Sequence, residues 1–179
     1  MIRTILVVVL SVTLLTVSGF RVTDWFKHET PYATIEFPEK PATTVQTVKA
    51  AAGDMAVETA MYKGIREKDD NLVYGFFSFV YPDSLFTSDN EQLLPKFFRN
   101  SIDSAVNRVK GKLLTEKEIL MDGYPGREVR VDYGGGMAIL HITVYLVWNR
   151  VMMIQTIAPS DKDNNPSAVR FHSSLKIRK

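Results

Sequence analysis

The sequence has no cysteine among its 179 residues. This absence excludes disulfide bonds, thiol catalysis, iron–sulfur clusters and cysteine-ligated zinc. It also excludes a lipoprotein, because the lipidated residue of a lipoprotein is a cysteine. The fold must therefore take its stability from a hydrophobic core, and a chain of this length can bury one as a single domain.

A large excess of charge of either sign is also missing. The chain has 22 Lys+Arg against 20 Asp+Glu, a formal net charge of +2. Nucleic-acid binding needs a clustered basic surface, so we expect no nucleic-acid partner. The one locally basic stretch, RFHSSLKIRK at 170–179, is interpreted as a solvated tail, with a contact to an acidic partner as the alternative.

The signature motifs of several enzyme classes are missing as well. The sequence has no G-x-S-x-G nucleophile elbow, no HExxH zinc motif and no P-loop lysine. The triple glycine 134–136 stands before a β-rich segment, not before a helix, so it predicts a hairpin turn and not a phosphate loop. We therefore expect a protein that is not an enzyme, and we assign no catalytic, cofactor-binding or metal-binding residue.

Histidine is scarce, and its spacing does not suggest a metal site. None of the three residues His28, His141 and His172 has a second histidine four positions further on. His141 lies in a predicted strand on the same side as Thr143, which is typical of a packed, hydrogen-bonded histidine. A metal site that pairs His141 with His172 is the alternative.

The first residues have the order of a secretory signal. Arg3 precedes an apolar run from Ile5 to Val17, and the small residues Ser18 and Gly19 follow. We expect a signal peptide at 1–19 that is cleaved after Gly19. The alternative is an uncleaved single-span anchor, with membrane contact confined to residues 1–27.

Either form of the leader predicts that the rest of the chain lies outside the cytoplasm, in the periplasm or secreted. Residues 20–31 are interpreted as a tether whose Trp25 and Phe26 pack on the domain. Residues 32–179 are expected to form one domain. We find no internal repeat and no low-complexity segment.

Alternating apolar residues predict most of the strands. We expect strands at 32–37, in a hairpin within 43–64, at 71–82, on both sides of GYPG at 123–126, and in a hairpin around 149–150. In NLVYGFFSFVYP, at 71–82, both faces are apolar. Such a strand must be covered on both sides, which favours a sheet with helices, or with a helix and long loops, on its two faces.

Two helices are expected. The first runs from about Gln92 to Val109, after a capping box at Ser88 and Glu91, with Pro95 either starting or kinking it. The second is a short C-terminal helix with one side formed by Val169, His172 and Leu175.

This order of elements resembles the superfamily of the photosystem II protein PsbP and the Mog-type Ran-binding proteins. The residues that carry the resemblance are IEFPEKP, GFFSFVYPDS, the helix from about Gln92, GYPGREVRV and the final FHSSLKI. It covers about Tyr32 to Ile177 and is closest to exported bacterial members.

The resemblance implies an α/β/α sandwich, an antiparallel sheet of about six to seven strands between helices. It also implies a binding or assembly role. We accordingly expect an exported non-catalytic domain that binds a protein partner or supports assembly of an envelope complex. The alternative function is a small-ligand or metal-binding periplasmic protein.

Overall fold

The computed structural model describes residues 24–50, 53–65, 67–81 and 93–178. The predicted signal peptide and the Ser88–Glu91 capping box lie outside these residues. Among the described residues, no helix is long and apolar enough to cross a membrane.

A large antiparallel sheet, here called the main sheet, forms the centre of the domain. Its strand order is β3-β4-β5-β9-β8-β7-β6. The bounds are β3 Ala42–Ala50, β4 Gly53–Lys63, β5 Val73–Val80, β6 Lys112–Met121, β7 Tyr124–Tyr133, β8 Ala138–Val147 and β9 Arg150–Pro159. Because β5 pairs with β9, the pairing joins an N-terminal group of strands to a C-terminal group in the middle of the sheet.

A three-stranded sheet, here called the small sheet, packs on one face of the main sheet. Its order is β1-β2-β10, with bounds β1 Phe26–Glu29, β2 Ala33–Phe37 and β10 Lys176–Ile177. Helix α2, Pro166–Ser173, lies beside it. Phe37 of β2, Phe171 of α2 and Phe76 of β5 are buried in one cluster, which binds the small sheet and α2 to the main sheet.

Helix α1, Leu94–Arg108, covers the opposite face of the main sheet. Ile102 packs on Val129 and Val131 of β7. Phe98, one turn earlier, packs on Val144 and its neighbours on β8 and β9. The apolar residues recur at helical spacing because they all contact this one face.

The predicted α/β/α sandwich is wrong. Within the described residues there are only two α-helices, and one face of the main sheet is covered mainly by a second sheet. Strand β5 does have both faces covered, as the sequence indicated, but by α1 on one side and by the small sheet with α2 on the other. An apolar strand face indicates that something covers it and does not indicate whether that layer is helix or strand.

The structure confirms one of three local sequence predictions, the role of Pro95, and corrects the other two. Pro95 lies in the first turn of α1, so it starts the helix and does not kink it. The turn between β6 and β7 is Asp122–Gly123, so the Tyr-Pro-Gly of GYPG belongs to β7. In α2 the buried residues are Ala168 and Phe171, and Val169 is 50% exposed, so Val169 was assigned to the wrong side.

The segment interpreted as a tether is partly folded. Phe26–Glu29 forms β1 and pairs with β2. The ring of Trp25 meets Tyr74 edge to face, with centroids 6.0 Å apart. Folded structure therefore extends to the N-terminal side of Tyr32.

Candidate functional site

The structure brings His141 of β8 and His172 of α2 together. Their rings are stacked, with centroids 3.8 Å apart and planes 15° from parallel. Nε2 of His141 is 2.9 Å from a carboxylate oxygen of Glu128. Nδ1 and Nε2 of His172 lie 2.7 and 3.2 Å from the hydroxyls of Thr143 and Thr156.

The surroundings of both histidines favour the neutral form of the ring. Burial lowers the pKa of His172 well below its ordinary value, and the neighbouring His141 and Arg130 lower it further. Burial and Arg130 also lower the pKa of His141, and the charge of Glu128 opposes this only in part. A second positive charge cannot be accommodated between rings that are stacked at this distance.

The geometry favours the packed, hydrogen-bonded interpretation of His141 over the metal site. Three of the four ring nitrogens of the pair have hydrogen-bond partners, and only Nδ1 of His141 is buried without one. Stacked rings do not direct two nitrogens at a common point. Among the described residues no group of three metal-ligating side chains occurs.

The triple glycine is a turn, as the sequence predicts. Gly134, Gly135 and Gly136 have φ of +74°, +68° and +89°, the left-handed region that favours glycine. The next element is strand β8, and the amide of Gly136 donates to the carboxylate of Asp132 at 2.6 Å. An internal carboxylate thus accepts from an amide of this turn, which disfavours the binding of an anion there.

A cavity of about 650 Å³ opens beside this turn. Its lining includes Asp70, Leu72, Tyr133, Met137 and Lys162. Asp70 and Lys162 form an ion pair at 3.2 Å. The volume lies in the range of small-molecule sites, and the lining combines apolar side chains with the charged residues Asp69, Asp70 and Lys162.

Three aromatic rings gather at the other end of the main sheet, on the face that carries the small sheet. Trp148 is exposed, whereas Tyr124 and Tyr145 are half-buried. We call Tyr124, Tyr145 and Trp148 the aromatic patch. Trp148 is 68% exposed, and its ring meets Tyr124 edge to face at 5.3 Å. The ring of Tyr145 lies so close to Gly126 that a Cβ there would be 2.5 Å from it, so glycine is needed to seat the tyrosine.

Trp148 also has an uncommon backbone conformation. It occupies the β8–β9 turn with a φ of +52°. Glycine and asparagine are favoured in such turns, and a bulky side chain in the left-handed region is strained. A large apolar ring that is both strained and exposed contributes little to the fold, which indicates a role at an interface.

A third surface lies at one edge of the main sheet. Strand β3 ends the strand order and, among the described strands, pairs only with β4. From Ala42 to Val48 it has no charged residue, and its register with β4 runs without a bulge. We call the unpaired side of β3 the open edge.

A cleft of about 250 Å³ adjoins the open edge. We call it the Glu58 cleft, and its lining includes Tyr32, Thr43, Val45, Glu58, Ala60 and Phe76. One carboxylate oxygen of Glu58 accepts a 2.5 Å hydrogen bond from the Tyr32 hydroxyl. The ring of Tyr32 is in turn covered by the guanidinium of Arg150, 3.6 Å from its centroid.

Sequence reasoning placed His141 and Thr143 on one strand face, and both do lie there, but it missed the aromatic patch and the Glu58 cleft. The hairpin predicted around Asn149–Arg150 is present, but its turn is Trp148–Asn149, and Arg150 is the first residue of β9. No alternation pattern indicates the exposure of Trp148. The cleft forms between strands distant in sequence, so only the uncharged run of β3 could have drawn attention to it.

These layers define the class of fold. The main sheet carries α1 on one face and the small sheet with α2 on the other, which is a PsbP-like arrangement. The solution structure of cyanobacterial PsbP (CyanoP) from Synechocystis sp. PCC 6803 matches the chain with a TM-score of 0.57 and 12% sequence identity. The match covers 92% of this chain and 99% of that one. At this identity the similarity concerns the fold alone.

No protein-family model matches the chain. No curated protein matches it either.

Proposed function

We propose that the chain is an exported, non-catalytic accessory domain that binds a protein partner or supports assembly of an envelope complex. The observation that carries the proposal is the aromatic patch, with Trp148 strained and 68% exposed. Tryptophan and tyrosine are enriched among the residues that dominate protein–protein binding energy. The PsbP-like fold and the apolar leader support the accessory role and the location outside the cytoplasm.

The finer resemblance belongs to the same proposal. Similarity to Mog-type proteins and to exported bacterial relatives rests on short motifs such as GYPGREVRV and FHSSLKI. Both agree with a domain that works by contact with other proteins.

Trp148→Gly tests the patch without damaging the fold. Glycine removes the ring and also relieves the positive φ, so we expect stability to be unchanged or to rise by up to about 1 kcal/mol. Affinity capture of the tagged full-length chain from cross-linked envelopes should lose its partners. Leu120→Ala, at a site 74% exposed on the opposite face, is the matched control and should retain them.

Two results would contradict the proposal. One is that the Trp148→Gly variant captures the same partner proteins as the unchanged chain, which would show that the aromatic patch is not the interface. The other is that cell fractionation recovers the chain in the cytosol, which would show that the chain is not exported.

A small-ligand or metal-binding protein is the second candidate, and the cavity of about 650 Å³ favours the small-ligand form. Thermal unfolding against panels of metabolites and metal ions tests it. A ligand that raises the Tm should lose its effect in Leu72→Trp, which fills the cavity. If no compound shifts the Tm, this candidate fails.

A further inference from the structure

We propose that the chain associates with a second copy of itself through the open edge, and that Lys49 of each copy binds Glu58 of the other. This goes beyond the proposed function, since the aromatic patch lies elsewhere. The evidence consists of an unpaired strand, an acidic cleft beside it and one basic residue in a matching register.

The open edge has the features of an edge that accepts another strand. Exposed sheet edges present unpaired N–H and C=O groups, and proteins usually protect them with charges, bulges or prolines. Ala42 to Val48 has none of these. Every side chain from Ala42 to Lys49 is exposed, so the described part of the domain does not cover the edge.

The register within the sheet places the key residues on one face. Val45 of β3 lies opposite Glu58 of β4, and Lys49 lies opposite Asp54. Since side chains alternate along a strand, Val45, Thr47 and Lys49 share the face that contains the Glu58 cleft. Val45 is 70% exposed, so its side chain leaves room above it.

An antiparallel pair of β3 strands that is centred on Thr47 brings these features together. Thr47 then faces the second copy's Thr47, and Val45 faces the second copy's Lys49. Glu58 lies two interstrand spacings, about 10 Å, from that lysine. The lysine stem can lie over Val45 while its ammonium group reaches the carboxylate. By two-fold symmetry the same contact forms twice.

The electrostatics of the cleft suit a lysine. One oxygen of Glu58 is bonded to Tyr32, and the other has no donor within the described part of the chain. His28 does not compete as a cation, because partial burial lowers its pKa despite the opposing charge of Glu58. Lys49 in turn makes no ion pair with the described acidic residues.

The absence of cysteine allows a direct test with a single introduced thiol. Cα atoms of directly opposed residues are about 4.5–5.5 Å apart, which is within disulfide range. Thr47→Cys in the full-length chain should therefore give a cross-linked dimer on oxidation, seen on a non-reducing gel. Thr115→Cys, an exposed threonine on the opposite edge strand β6, is the matched control and should stay monomeric.

Charge exchange tests the register. In the Thr47→Cys background, Lys49→Glu should lower the cross-linked fraction by about tenfold, because a charge-assisted contact is lost at two places. Lys49→Arg should retain the dimer. Combining Lys49→Glu with Glu58→Lys should restore it, and circular dichroism checks that each variant is folded.

Several outcomes would overturn the inference. Equal cross-linking of Thr115→Cys would indicate random collision. If Lys49→Glu leaves the cross-linked fraction unchanged, the proposed register is wrong. If Thr47→Cys cross-links to a different protein, the open edge binds another partner and not a second copy. Trp148→Gly should leave the cross-link unchanged, so the dimer and the proposed function can fail separately. Since a single strand contact is small, we expect a weak, concentration-dependent dimer.

Discussion

The two edges of the main sheet are built differently. Strand β6 carries Lys112, Glu116, Lys117 and Glu118, and its pairing with β7 is interrupted between Leu113 and Thr115. Strand β3 is uncharged from Ala42 to Val48 and pairs with β4 without interruption. Charges and irregular pairing both discourage the addition of a foreign strand. One edge is therefore protected, and the difference indicates that the other remains open for association.

The largest expected loss of stability comes from truncating a buried side chain in the hydrophobic cluster near each edge of the main sheet. Phe76 is 2% exposed in the cluster on β3's side of the sheet, and Phe76→Ala should lower the free energy of unfolding by about 3–5 kcal/mol. Ile102 fills the cluster against β7, the neighbour of β6, and Ile102→Ala should lower it by about 2–5 kcal/mol.

Urea unfolding measures both changes, and hydrogen exchange locates them. We expect Phe76→Ala to loosen β3 and β4 more than β6, and Ile102→Ala to do the reverse. Loss of protection across the whole sheet in both variants would mean that the two edges do not respond independently.

Acid should act more on the half of the sheet that contains the stacked histidines. The pKa of His172 is lowered in the folded state, so below about pH 6.5 the unfolded chain binds a proton that the folded chain does not. Stability should then fall with decreasing pH, by about 1.4 kcal/mol per unit for this residue, and should be flat above its ordinary pKa.

Urea titrations between pH 7.5 and 5 measure this slope. His172→Gln should reduce it. His28→Gln is the control near the β3 edge, where burial is partial and the slope should change less. An unchanged slope in His172→Gln would show that this residue is not the one that titrates.

The smallest expected effect concerns the charges of β6. Glu118 pairs with Arg127 at 2.7 Å but is 82% exposed, so Glu118→Gln should change stability by less than about 0.5 kcal/mol. Neutralising Glu116, Lys117 and Glu118 together should make this edge associate, as measured by light scattering. If the triple variant stays monomeric, the interrupted pairing alone protects β6.

Sequence predicted well what depends on neighbouring residues. The triple-glycine turn, the β8–β9 hairpin and the pairing of the strands on either side of GYPG all follow from local turn chemistry and alternation, although each of these two hairpin turns begins one residue earlier than predicted. The apolar spacing from Leu94 to Val109 predicted α1 for the same reason.

Features that depend on contacts between segments far apart in the sequence could not be predicted from local patterns. The small sheet needs β2 to meet β10, which has only the residues Lys176 and Ile177, too few to show a period. The stack of His141 on His172 depends on where α2 packs, and the Glu58 cleft depends on how the small sheet lies over β4.

The pairing of β5 with β9 constrains the time course of folding. Strands β6 to β9 follow one another as hairpins, so they can pair soon after they are available. Strand β5 is made earlier but must wait for β9, the last strand of the main sheet, before its second edge is paired. Closing this long loop has an entropic cost, so we expect the β5–β9 pairing to be protected late and the unpaired edge of β5 to be the part most in need of a holding chaperone.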